Sequence, residues 1–99
     1  MTTDIEPPQY PKGDFRRLLC VLAAMDRPKG AKLLEIAAVT GIDKKSVTLL
    51  ISQATAQAGV SIIKDEYSYR IEDWGPVLKR SGAKLALTGA INAPIMKVL

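Results

Sequence analysis

The sequence has no histidine and a single cysteine, Cys20. With neither an imidazole nor a second thiol, it cannot form a His/Cys zinc site, an imidazole base or an internal disulfide. No phosphate-cradling glycine-rich loop is present, and no nucleophile has a base beside it, so an enzyme is not expected and no cofactor is called for. Glu35, Glu72 and Asp73 read as surface charges. No apolar run reaches the roughly 20 residues of a membrane span. The stretch Leu18 to Ala24 reads as core with Cys20 as a small hydrophobe within it. Residues 1–9 carry acids and prolines where a signal peptide needs cations, so a cytoplasmic location is expected, with no membrane or metal partner. No internal repeat or low-complexity stretch occurs.

What is present fits one folded domain. The 99 residues are 47% hydrophobic and 24% charged, the profile of a globular chain too short for two cores. Fourteen Lys and Arg against ten Asp and Glu leave a net charge of +4, which suits a polyanionic partner only if the cations are gathered in one place.

Residues 1–12, with Pro7, Pro8 and Pro11, read as an extended arm. Phe15, Leu18, Leu19, Leu22 and Met25 then recur on one face of a helix that Arg27-Pro28 ends. Leu33, Leu34, Ile36 and Ala37 mark a second helix stopping at Thr40-Gly41. A third starts at Asp43 as N-cap, carries Val47, Leu50, Ile51, Ala54 and Ala58 on one side, and closes at Gly59. Beyond it the pattern alternates: Val60, Ile62 and Ile63, then Tyr67, Tyr69 and Ile71, flank Lys64-Asp65-Glu66 as a β-hairpin. No Asn-Gly or Asp-Gly pair signals a two-residue turn. Tyr67, Tyr69 and Trp74 are expected to pack over the helices or at the rim of the core rather than to stack bases. After Trp74-Gly75-Pro76 a last helix is expected over about 81–91, with Pro94 turning the following residues out of it.

The stretch Leu33 to Ile51 spaces a small Ala37, a turn-forming Gly41, and core-locking Ile42, Val47 and Leu50 as two closely packed helices require. This arrangement resembles the helix-turn-helix of bacterial and phage transcriptional regulators, and the hairpin from Val60 to Glu72 resembles the wing of winged-helix families. The fold expected is therefore α+β, mostly α. A three-helix core with the helix-turn-helix and hairpin wing occupies 13–78, and a C-terminal helix with an apolar tail fills 79–99.

The resemblance implies a double-stranded DNA partner, with the third helix in the major groove. The residues expected to meet DNA are Lys32, Lys44, Lys45, Ser46, Thr48, Leu49, Ser52, Lys64 and Arg70. Thr55 and Ala56 share the outer side of the third helix, which has short polar groups, one methyl-rich side chain and no Arg. Lys44 and Lys45 sit at the positive end of the helix dipole, a local conflict that a bound phosphate would remove. Arg16, Arg17 and Lys29 are further candidates for phosphate contacts, whereas Asp65 and Glu66 would keep the wing tip away from a phosphate backbone. Leu85, Leu87, Ile91, Ile95, Met96, Val98 and Leu99 form an apolar region from which a homodimer is expected, against the alternative of a last helix folding onto its own first helix. A protein-interaction module, or an accessory factor in replication or partition, would use the same fold.

Overall fold

The computed structural model describes residues 10–87. In chain order these form α1 (Phe15–Met25), β1 (Ala31–Lys32), α2 (Leu33–Thr40), α3 (Lys44–Ala58), β2 (Ser61–Asp65), β3 (Ser68–Asp73) and α4 (Arg80–Leu87). The three strands make one antiparallel sheet in the order β1-β3-β2. The architecture is α+β and mostly helical. Residues 1–9 of the expected arm and 88–99 of the expected tail lie outside the described residues.

Each helix begins and ends for a local reason. Asp14 caps α1 by accepting a hydrogen bond from the Arg16 amide at 2.9 Å, and Asp26 with Arg27-Pro28 stops it. Glu35 reaches back to accept from the Lys32 amide at 2.8 Å, fixing the start of α2. Gly41 at φ 74° and Gly59 at φ 69° close α2 and α3 in the left-handed region. Buried Thr40 donates its hydroxyl to the Ile36 carbonyl and accepts from the Ile42 amide, so the turn between α2 and α3 keeps its polar groups partnered.

The core joins Leu18, Leu19, Val21, Leu22 and Met25 of α1 to Ile36 of α2 and to Ile42. Ala24 of α1, Ala31 of β1, Val47, Ile51, Ala54 and Ala58 of α3, Val60, and Ala83 and Ala86 of α4 complete it. Burial of each large apolar side chain is worth about 2 kcal/mol.

Several expectations are corrected. Phe15 is 56% exposed: it occupies the first turn of α1, at the edge of the core, and lines a surface groove with Leu50, Gln53 and Gln57. Cys20 is half-buried at a groove rather than enclosed, and desolvation raises its thiol pKa, so it is no activated nucleophile. Strand β1 has no counterpart in the sequence reading, because two residues are too few for a period to register. The hairpin turns over two residues after all: Asp65 pairs with Ser68, leaving Glu66-Tyr67 as the tip with Glu66 at φ 50°. Tyr67 on that tip is 75% exposed, while Tyr69 and Trp74 are half-buried against the core as expected.

Helix α4 packs against α1 through Ala83 and Ala86. Its first residue, Arg80, donates to the Asp26 carboxylate at 2.6 Å, tying the start of α4 to the end of α1. Thus the described part of the last helix folds onto its own first helix. Leu85 points away and is 56% exposed.

Candidate nucleic-acid interface

The face of α3 opposite the core is continuous and open. Lys44, Lys45, Thr48, Leu49, Ser52, Thr55 and Ala56 are all exposed and fall within roughly 140° of helical arc at 100° per residue. Leu49 is the one large apolar group among them, 59% exposed. Apart from Lys44 and Lys45 the side chains around it are short, which lets this part of the helix approach base edges without obstruction.

The two lysines take no part in any ion pair among the described residues. The first turn of a helix has four amides without intrahelical partners. Asp43 engages one of them, its carboxylate accepting from the Ser46 amide at 3.0 Å, while its carbonyl accepts the first intrahelical bond, from Val47 at 2.9 Å. The amides of Lys44 and Lys45 stay at the outer end, beside the two ammonium groups, where an anion would meet both charge and N–H donors. Hydrogen bonds from the Ser46 hydroxyl and amide, in that order of effect, hold the Asp43 carboxyl below its usual pKa. Lys12 also lowers it through its charge, which brings a third cation to this helix end. Lys12 has no signal in the sequence that would place it here, since nothing in its neighbourhood tells where a proline-rich segment runs.

Two α3 residues have narrower roles than expected. Ser46 is half-buried and donates its hydroxyl to Asp43 at 2.8 Å, so it serves the cap. Thr48 donates its hydroxyl to the Lys44 carbonyl at 3.0 Å, which leaves a methyl and acceptor lone pairs facing outward.

The remaining candidates do not converge on one patch. Lys32 and Lys64 line a groove between α2 and the hairpin, together with Leu33, Leu34, Tyr67 and Tyr69. There the Lys64 ammonium sits 5.6 Å from the centre of the Tyr69 ring, within cation–π reach. Arg70 pairs across the hairpin with Ile63, whereas Lys64 pairs with Tyr69, so Arg70 and Lys64 occupy opposite faces. Arg70 lines a shallow depression with Asp26, Trp74 and Arg80.

Arg16 and Arg17 are committed elsewhere. Arg16 pairs with Asp14 at 2.8 Å and stacks over the Tyr10 ring, and Arg17 donates to the Tyr10 carbonyl at 3.2 Å. Both hold the segment Tyr10 to Asp14 against α1. Arg27 stands 4.0 Å from Glu35. Among the described residues, cations outside any ion pair thus gather at the start of α3 and, as Lys32 and Lys64, in the groove beside the hairpin.

No helix among the described residues is long and apolar enough to cross a membrane. Among the same residues there is no group of three potential metal-binding His, Cys, Asp or Glu side chains. Comparison with protein-family models, with curated proteins and with solved structures found no match.

Proposed function

We propose that this is a winged-helix protein that binds double-stranded DNA without catalysis, with α3 as the recognition helix and the β2–β3 hairpin as the wing. The order helix, strand, helix, helix, strand, strand around an antiparallel sheet is compatible with that layout. The observation that carries the reading is the open face of α3, with Lys44 and Lys45, in no ion pair among the described residues, at its N-terminal end and no acidic side chain from Lys44 to Ala58. Lys44, Lys45 and Lys12 neutralise phosphate, while Thr48, Leu49 and Ser52 meet base edges and thymine methyls. Without an Arg on that face, part of the selectivity comes from DNA shape. The protein acts in the cytoplasm as a homodimer, spacing two recognition helices for successive major grooves, in a transcriptional regulator or a replication or partition factor.

The test is fluorescence anisotropy with a labelled duplex from about 50 to 200 mM salt, comparing the native chain with Lys44→Ala/Lys45→Ala. Each phosphate contact contributes about 0.9 to the slope of log affinity against log salt, so the double variant should bind more weakly and lose about 1.8 from the slope. Absence of duplex binding at the lowest salt would overturn the reading.

That result would favour a winged-helix protein-interaction module, for which the acidic tip residues Asp65 and Glu66 and the exposed Leu34 and Tyr67 speak. Such binding would be nearly insensitive to salt.

A further inference from the structure

A second surface feature, away from α3, has the character of a protein interface. Cys20, Ala23 and Ala24 of α1, Val39 and Thr40 of α2, and Leu87 of α4 line a groove of about 310 Å³. Ala23 is exposed and Val39 is 48% exposed, although Ala24 and Thr40 beside them are buried. The one charged residue at the groove, Arg27, stands 4.0 Å from Glu35. Covering this groove with apolar groups would therefore desolvate little charge.

The chain itself supplies candidates to cover it. Leu87, the last described residue, is at the groove, and residues 88–99 continue from there with Ile91, Ile95, Met96, Val98 and Leu99 against one charge, Lys97. A cavity of about 150 Å³ lined by apolar side chains accommodates one benzene. A groove twice that size takes about two large aliphatic side chains. The segment has five, and Leu85 adds another exposed one on α4. One copy cannot bury them all in its own groove. A two-fold pair can, because each groove takes some and the remainder meet their symmetry mates across the axis.

We propose that the α1–α2 groove is the homodimer interface and receives residues 88–99 of a second copy. This deepens the dimeric part of the proposed function, but does not depend on DNA, and its test is run without DNA.

Because Cys20 is the sole cysteine and lines the groove, it reports on occupancy directly. The native chain is mixed with a size-tagged Cys20→Ser/Ile95→Cys chain and treated with a short bis-maleimide, which can join these two only between copies. A linked tagged–untagged pair is the expected product, and Lys44→Ala/Lys45→Ala should leave its yield unchanged. Light scattering should give twice the 10.7 kDa chain mass. Val39→Glu should raise the dissociation constant at least about tenfold while the circular dichroism spectrum stays native. A monomeric mass, or linkage confined within a single chain carrying both Cys20 and Ile95→Cys, would overturn the proposal: in the latter case the segment covers its own groove.

Discussion

The Asp43 carboxylate accepts two hydrogen bonds from Ser46, one from the amide at 3.0 Å and one from the hydroxyl at 2.8 Å. One side chain thereby caps the helix that presents the candidate DNA-reading face, and it does so only while ionised at full strength. Asp14 does the same for α1, and its hydrogen bonds from the Arg16 side chain and amide bring its pKa down to about 2.

Acid should therefore weaken the fold in a defined window. Both carboxyls have folded pKa values below the unfolded aspartate value of about 3.9. Such a group contributes stability that is fully present above the unfolded pKa and lost as pH falls through the folded one. The urea midpoint should hardly change from pH 8 to 5, where the chain has no imidazole to titrate, and should fall from about pH 4 toward pH 2. Asp14→Asn should lower the midpoint at neutral pH and flatten the acid decline. An acid decline equally steep in that variant would remove Asp14 from the explanation.

The helices were legible in the sequence because their signals are local. Leu18, Leu22 and Met25 repeat at helical spacing, and Gly41, Asp43 and Gly59 are the residue types that caps require. What was not legible depends on contacts remote in sequence. Strand β1 exists only because Ala31 and Lys32 pair with Tyr69 and Ser68. The pairing of Arg80 with Asp26 likewise joins side chains 54 residues apart. For the same reason the positive residues look interchangeable in the sequence, whereas the fold occupies Arg16 and Arg17 with Tyr10 and gives Lys44 and Lys45 no ion pair among the described residues.

Gly30 supplies a sharp check on β1. It sits at φ 71°, and a Cβ there would collide with the Tyr69 carbonyl oxygen and lie 2.9 Å from its carbon and 3.0 Å from the Arg70 Cα. Gly13 has a similar φ of 89° but nothing within 4 Å of the same position. Gly13→Ala should cost only the left-handed strain, about 1–2 kcal/mol. Gly30→Ala should cost more than about 2 kcal/mol, because β1 must also move off β3. Urea unfolding of both variants makes the comparison. Equal losses would mean that the close approach of β1 to β3 contributes nothing to stability.

The tip of the β2–β3 hairpin separates backbone strain from charge. Glu66 is at φ 50°, where an L-residue is disfavoured by about 1–2 kcal/mol and glycine is not. Glu66→Gly should therefore stabilise the fold by up to about 1 kcal/mol, less than the full strain because glycine also loosens the unfolded chain. Glu66→Gln keeps the backbone demand and removes only the charge, so its stability should stay close to that of the native chain. Its duplex affinity decides where the tip lies. With the acidic tip held outside the DNA, Glu66→Gln should change the anisotropy titration by less than about twofold at 50 mM salt, where screening is weak and a nearby phosphate would be felt. A gain well beyond that would bring the tip against the backbone, and the wing would then count as part of the DNA-binding surface beside α3.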